Sequence, residues 1–218
     1  MNNVIEVSNL TKYYGNLLAV DHITFEVPQG QVFGFLGPNG AGKTTTIRML
    51  TGLTQPTEGS ACVLGYDLAS EITRIKKAIG VVPETSNLYD ELSARDNLVF
   101  MGQLYGVPRR ERGERADALL RRFRLWEKRN TPFAKLSKGM KRALTVAAAL
   151  VHRPQLVFLD EPTTGLDILS ARSLRALIGQ LREEGVTVFL TTPTWRRQSG
   201  CATRWPSSSG VASWPWTR

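Results

Sequence analysis

The feature that most constrains this chain is a glycine-rich loop between an apolar run and a helical pattern. Residues 37–44 read GPNGAGKT and match the P-loop spacing G-x-x-x-x-G-K-[ST]. Residues 31–36 (QVFGFL) predict a short buried strand, and a helix is predicted to begin near Lys43. Glycines let successive N–H groups turn toward one phosphate, and the following helix adds the positive end of its dipole. This order predicts a phosphate-binding loop rather than a purely structural turn.

The motif also identifies candidate nucleotide-binding residues. The Lys43 ammonium is predicted to reach the β- and γ-phosphates, and the Thr44 hydroxyl is predicted to bind Mg²⁺. The predicted cofactors are therefore ATP and Mg²⁺. The candidate contacts in this segment are Gly37, Pro38, Asn39, Gly40, Ala41, Gly42, Lys43, Thr44 and Thr45.

A second apolar run ends in two acidic residues. Residues 156–161 read LVFLDE, which predicts a buried strand followed by Asp160 and Glu161. Asp160 is predicted to hold Mg²⁺ through water, because this ion keeps much of its hydration shell. Glu161 is predicted to act as general base on the attacking water. The alternative is a solvated acidic turn at a strand end, which the presence of the P-loop disfavours.

Strands and helices alternate in the outer parts of the chain, whereas the middle is helical. Residues 4–7 and 22–27 alternate as half-buried strands do, and residues 186–190 (VTVFL) predict a further buried strand. Helical spacing covers residues 111–124 and 136–151, with Ser137 as N-cap, and a leucine-rich helix stops at Gly185. The predicted fold is an α/β P-loop core of mostly parallel sheet, with an N-terminal antiparallel β part and an inserted helical sub-domain. The predicted core is 1–84 with 145–192, and the predicted sub-domain is 85–144.

Composition narrows the class of protein. The 218 residues are 42% apolar and 22% charged, so a globular core is expected. No run approaches the ~18 apolar residues of a membrane span, the N-terminus does not read as a signal peptide, and two cysteines make no disulfide framework. The whole chain has a net charge of +9. Residues 109–142 alone account for this charge, because they hold 13 basic and 4 acidic residues. That segment is interpreted as a solvated helical face, with a partner or anionic membrane, or nucleic acid, as alternatives.

Over residues 4–192 the sequence resembles the ATP-binding subunit of an ABC transporter. The resemblance implies an ATPase that works as a head-to-tail dimer on a separate membrane permease, at the cytoplasmic face of the cell membrane. It implies catalytic roles for Lys43 and Glu161. It also implies that Ser137 and Gly139 of LSKGM complete the partner's ATP site, that Asp167 of the TGLD loop crosses the dimer interface, and that Tyr14 stacks on adenine.

Three positions depart from the usual family pattern. Lys138 and Met140 interrupt the usual LSGGQ, and Glu84 of VVPE stands where the family has a glutamine that contacts Mg²⁺. Glu84 remains a candidate metal ligand, with a solvent-facing side chain as the alternative. The pattern is most similar to bacterial type-2 exporters. A soluble ABC ATPase acting on ribosomes or DNA and an inactive nucleotide-binding remnant remain alternative functions.

The composition changes abruptly after Thr192. The last 26 residues contain no Asp, Glu, Leu or Ile, yet they hold four of the five tryptophans. Deleting one base from a gene encoding TTHYMEE yields TTPTWRR, the sequence found at 191–197. We interpret 193–218 as the product of a frameshift, natural or from sequencing. This segment is expected to be a poorly ordered tail, and the γ-phosphate-contacting histidine of the family is replaced by Pro193.

Overall fold

Two four-stranded sheets organise the part of the chain that the computed structural model describes, residues 2–192. The strands are Asn3–Tyr14 (β1), Leu17–Pro28 (β2), Val32–Leu36 (β3), Glu58–Val63 (β4), Tyr66–Asp67 (β5), Ile79–Val82 (β6), Leu156–Leu159 (β7) and Thr187–Thr192 (β8). The helices are Lys43–Leu50 (α1), Ile72–Ala78 (α2), Ala94–Leu104 (α3), Arg109–Arg122 (α4), Lys138–Ala149 (α5) and Ile168–Glu183 (α6), with short 3₁₀ turns at Trp126–Lys128 and Phe133–Lys135.

The two sheets differ in strand direction. The N-terminal sheet has the order β2-β1-β4-β5 and its strands pair antiparallel. The second sheet has the order β3-β8-β7-β6 and is parallel throughout. Parallel strands bring their carboxyl ends to one edge, so the segments that follow β3, β6 and β7 meet there. That edge carries the candidate site.

Strand β8 is buried on both faces and contributes to two cores. Phe189 packs with aromatic side chains between the two sheets, and its ring centroid lies 5.3 Å from that of Phe33. Val188 and Leu190 point to the opposite face and join the core formed with α3 to α6. The alternation of side chains along a strand explains why a nearly continuous apolar run is needed here.

The predicted fold class is confirmed, and several element bounds shift. β1 and β2 extend well beyond the predicted 4–7 and 22–27, because register shifts along their pairing interrupt the alternation that marks a strand. The helix predicted over 136–151 spans Lys138–Ala149, with Ser137 as its confirmed N-cap. The strand predicted over 186–190 is Thr187–Thr192.

The predicted division at residues 84–85 and 144–145 stays a prediction, and α5 runs continuously across residue 144. The predictions for 193–218, including the expected poor order and the role of Pro193, lie outside the described residues.

Candidate functional site

The P-loop turns from β3 into α1 through two glycines with positive φ. Gly40 has φ +84° and Gly42, the N-cap of α1, has φ +78°. A Cβ atom on Gly42 would collide with the backbone oxygen of Ala19 in β2, so only glycine fits this position. The first turn of α1 (KTTT) carries no acidic side chain. Its leading N–H groups, which include those of Thr44 and Thr45, have no intrahelical acceptor and are suited to an anion.

Lys43 is buried beneath the loop. Its side chain is 5% exposed, and its Nζ donates to the carbonyl oxygens of Gly37 and Pro38, both at 3.0 Å. The same Nζ lies 3.5 Å from Oε1 of Glu161. The loop therefore holds a cation at its centre, next to the predicted base.

Asp160 and Glu161 follow β7 directly, at the carboxyl edge of the sheet. Asp160 is 4% exposed, and its N–H donates to the carbonyl of Val82 at 2.9 Å. Glu161 has φ +44°, a strained value for a non-glycine residue, and its Oε2 accepts from the Thr164 hydroxyl at 3.1 Å. The two carboxylates therefore have different surroundings, since one is enclosed at the strand end and the other faces Lys43.

Arg142 of α5 ties together the loops that follow β6 and β7. Its Nε donates to Pro162 O at 3.0 Å and its Nη2 to Asp160 O at 2.7 Å. Its Nη1 donates to Pro83 O at 2.5 Å and to Glu84 O at 3.2 Å. Burial lowers the pKa of this guanidinium, and the negative charges of Asp160 and Glu84 partly offset that effect. The side chain of Glu84 is exposed.

The candidate contacts for a partner's nucleotide lie at the starts of α5 and α6. The hydroxyl of Ser137 caps α5 by accepting from Met140 N at 3.3 Å. Gly139 lies against α6, since a Cβ there would approach Ser170 Oγ to 2.5 Å. Asp167 caps α6 by accepting from the N–H and hydroxyl of Ser170, and the hydroxyl bond is the main reason why its pKa is lowered. The two helix starts therefore form one surface.

Tyr14 ends β1 in the hairpin with β2. Its ring is 44% exposed, and Nζ of Lys12 lies 5.2 Å from the ring centroid. The same hairpin reaches the P-loop, because Ala19 of β2 abuts Gly42. Tyr14 therefore offers an open aromatic face on the strand pair that borders the loop.

Comparison with known proteins identifies the family. The family model described as ABC transporter matches residues 20–164, which is more than half of the chain. The chain belongs to the ABC transporter family. The match begins in β2 next to Ala19 and ends at Thr164. It therefore includes both the P-loop and the acidic pair Asp160 and Glu161.

Curated relatives of this ABC family chain include ATP-binding proteins named for export or drug resistance. Nod factor export ATP-binding protein I of Sinorhizobium fredii is 43% identical over 188 residues, covering 86% of this chain and 55% of that protein. The daunorubicin/doxorubicin resistance ATP-binding protein DrrA of Streptomyces peucetius is 44% identical over 188 residues, with 86% and 57% covered. The chain thus spans little more than half the length of these relatives.

Solved structures agree with the fold. A structure of an ATP-binding subunit of an ABC transporter superposes with a TM-score of 0.77 at 33% identity, covering 87% of this chain and 79% of that one. No helix in the described part of this ABC family chain has the length and apolar character that a bilayer crossing requires.

Most of the candidate residues fall into two groups, and Tyr14 lies outside both. Lys43, Asp160 and Glu161 converge at the carboxyl edge of the parallel sheet, with the P-loop around Lys43. Ser137, Gly139 and Asp167 share the surface at the starts of α5 and α6. Glu84 is linked to the same edge through its backbone carbonyl, which accepts from Arg142, while its side chain is exposed.

A magnesium ion fits the first group by donor chemistry. Within residues 2–192 no group of three or more His, Cys, Asp or Glu side chains forms a metal centre. Mg²⁺ associated with a nucleotide needs few protein ligands, since phosphate and water oxygens fill most of its shell. The hydroxyl of Thr44 and the buried carboxylate of Asp160 are hard oxygen donors of the required kind. The residues of this ABC family chain therefore suit Mg²⁺ better than a softer metal.

Sequence reasoning missed two residues of the site, Arg142 and Thr191. Arg142 lies in a basic stretch that reads as solvent-facing, yet it is only 9% exposed. Thr191 is the second-last residue of the largely apolar strand β8, and its hydroxyl donates to Asp160 at 2.5 Å. No local pattern could have revealed either contact, because the partners are far away in the sequence.

Proposed function

We propose that this protein binds Mg·ATP and hydrolyses it to drive export through a separate membrane permease. The observation that carries the proposal is the approach of Lys43 Nζ to within 3.5 Å of the Glu161 carboxylate, at the mouth of the P-loop. A cation for phosphate and a base for water thus stand side by side at the edge where α/β folds bind ligands.

Each residue near this pair has a definite task in the proposal. Lys43 stabilises charge on the β- and γ-phosphates, and the N–H groups of the P-loop hold the phosphate oxygens. Thr44, Asp160 and Glu84 are the proposed ligands of Mg²⁺ or its waters; the ion neutralises phosphate charge when it is bound. Glu161 takes a proton from the attacking water.

A head-to-tail dimer completes the site. Ser137 and Gly139 offer a hydroxyl, a helix N-terminus and close approach to the γ-phosphate bound by the partner. Asp167 lies in the segment proposed to cross the dimer interface. Tyr14 is proposed to stack on adenine through its open ring face. The exposed Ile168 and Leu169 at the start of α6 support burial of this surface, since they are 87% and 75% exposed in the described chain.

The export role and the permease are proposals that rest on relatives. Proteins named for Nod factor export and drug resistance match most of this chain at 43% and 44% identity. We propose that the protein works at the inner face of the cell membrane, held there by its permease. The basic segment 109–142 is proposed to face that partner or anionic lipid headgroups.

Hydrolysis is proposed to be impaired by the altered sequence after Thr192. The family resemblance implies a histidine at position 193 that contacts the γ-phosphate, whereas Pro193 has neither a side-chain donor nor an N–H. Losing one aligned transition-state donor lowers turnover by about 10²–10³. Inserting one base at codon 193 restores the inferred reading frame. Comparing the ATPase rate of the frame-restored protein with that of the present chain tests the proposed impairment. Equal rates would contradict it.

Binding is tested by calorimetric titration with Mg·ATP. Lys43→Ala removes a charge-assisted bond and is expected to weaken affinity by about 10- to 100-fold. Lys77→Ala is the matched control, because Lys77 is an exposed lysine on α2. Equal affinity of wild type and Lys43→Ala would refute the assigned site.

The base is tested in the frame-restored protein. Glu161→Gln keeps the size of the side chain but removes its basicity, so turnover should fall by about 10²–10⁴ while ATP still binds. Hydrolysis at the parent rate would show that Glu161 is not the base.

A further inference from the structure

The hydroxyl of Thr191 bridges the two acidic residues at the end of β7. Thr191 lies in β8 and is 0% exposed. Its Oγ1 donates to Asp160 Oδ1 at 2.5 Å, and it accepts from the N–H of Glu161 at 3.0 Å. One buried oxygen thus contacts the proposed metal-binding carboxylate and the backbone of the proposed base.

The direction of both bonds follows from counting protons. A threonine hydroxyl has one proton to donate and two lone pairs, whereas a backbone N–H only donates. The bond from Glu161 N therefore occupies a lone pair of Thr191 Oγ1, and the hydroxyl proton is directed to the Asp160 carboxylate. The distance of 2.5 Å between Thr191 Oγ1 and Asp160 Oδ1 fits this direct donation.

The backbone geometry explains why an acceptor is needed here. β7 pairs with β8 up to Leu159, which faces Leu190, and the chain then leaves the sheet with φ +44° at Glu161. The N–H of Glu161 consequently loses its ladder acceptor at a half-buried position, which is costly unless another acceptor replaces it. Thr191 is the next residue of β8 and supplies that acceptor from its side chain.

We propose that Thr191 is a positioning residue for Mg²⁺. Its hydroxyl fixes the rotation of the Asp160 carboxylate and anchors the strained backbone of Glu161, so that the proposed metal ligand and base keep one geometry. This inference rests on the proposed Mg·ATP site and adds a residue to it. Partners that orient a metal ligand typically contribute about 10- to 100-fold to metal affinity.

The experiment measures the ATP affinity of the full chain in excess Mg²⁺ and in EDTA. Thr191→Val removes the hydroxyl with little change of shape and should reduce the Mg²⁺-dependent gain in ATP affinity by about tenfold or more. Its ATP affinity in EDTA should stay within about twofold of wild type, because the P-loop contacts are unchanged. Thr191→Ser keeps the hydroxyl and should retain the Mg²⁺-dependent gain.

Thr187→Val is the matched control on the same strand. Thr187 is also 0% exposed, and its hydroxyl accepts from the N–H of Gly30 at 2.8 Å, at the opposite end of β8. Both valine variants should lower the melting temperature by about 2–8 °C, since each leaves a backbone N–H without its acceptor. Only Thr191→Val should change the Mg²⁺-dependent gain.

The outcomes separate the inference from the proposed function. A wild-type chain that binds no ATP in either buffer refutes the function and this inference with it. If Mg²⁺ raises the ATP affinity of wild type and of Thr191→Val equally, the proposed function stands. The role of Thr191 is then overturned. An equal loss in Thr187→Val also overturns that role, because it indicates a general effect of strand stability.

Should Thr191→Val fail to fold, Thr191→Ser is compared with Thr191→Cys, whose thiol is a weak donor. Loss of the gain in the cysteine variant alone supports the inference, and equal gains refute it.

Discussion

Replacing Arg142 with methionine should destabilise the protein more than the same replacement of Lys138 or Lys141, the other basic residues of α5. The guanidinium makes four hydrogen bonds, all to backbone carbonyl oxygens in the loops after β6 and β7. Methionine fills a similar volume without donors. The variant therefore removes the bonds while keeping the packing of the side-chain stem.

The magnitude depends on which carbonyls lose access to a donor. The bonds to Asp160 O and Pro162 O are buried, whereas those to Pro83 O and Glu84 O are partly exposed and can be replaced by water. Two buried unsatisfied carbonyls cost about 2–6 kcal/mol. Relief of the buried charge offsets part of this, since burial already lowers the pKa of Arg142. We expect a net loss of about 3 kcal/mol in the free energy of unfolding, or about 6–12 °C in melting temperature.

Thermal unfolding followed by circular dichroism tests this prediction. Arg142→Lys should lie between wild type and Arg142→Met, because one ammonium cannot reproduce the planar fork. Lys141→Met is the neighbouring control, since Lys141 is half-buried and its Nζ lies 5.1 Å from the centroid of Phe133. A melting temperature of Arg142→Met within about 2 °C of Lys141→Met would refute the reasoning.

The structure also predicts how substitutions at Gly42 and His152 change stability. Gly42→Ala should lower the free energy of unfolding by more than about 2 kcal/mol, because φ is +78° and the new Cβ would meet Ala19 O; an unchanged denaturant midpoint would contradict this. His152 stacks on Tyr105 and bonds Ile79 O, and burial lowers its pKa from 6.5 to about 4. Only the unfolded state then gains a proton as the pH falls below about 6.5, so stability should drop by about 1–2 kcal/mol by pH 5. His152→Gln keeps a donor but does not titrate, and its stability should lose this part of the pH dependence; identical pH profiles would exclude His152 as the source.

Local signals explain why parts of the fold could be predicted. The P-loop glycines, the buried run at β7 and the Ser137 cap each leave a mark within a few residues of sequence. β4, β5, β6, α2 and α3 were not predicted, because their segments carry short or mixed patterns that tertiary pairing completes. β4, for example, becomes a strand by pairing with β1, which lies more than forty residues earlier.

The site also contains residues that a local sequence signal marks and residues that only tertiary contacts reveal. Lys43, Asp160 and Glu161 were predictable because a motif or a strand end marks each of them. The positive φ of Glu161 was not predictable, because glutamate has no preference for that region and the conformation is imposed by the surrounding bonds. Arg142 looked like one of many charges in a basic segment until the structure placed it beside four carbonyls.

Arg142 and Thr191 hold Asp160 at the carboxyl edge of the sheet from two different elements. Thr191 holds the side chain of Asp160 from β8, while Arg142 holds its backbone carbonyl from α5. Ser137 caps the helix that carries Arg142, so the start of α5 is linked to Asp160 through that helix. Breaking the bonds from Arg142 to the carbonyl oxygens of Asp160 and Pro162 is costly, because these acceptors are buried. Two polar side chains, neither of which belongs to a motif, thus connect distant sequence positions at this edge of the sheet.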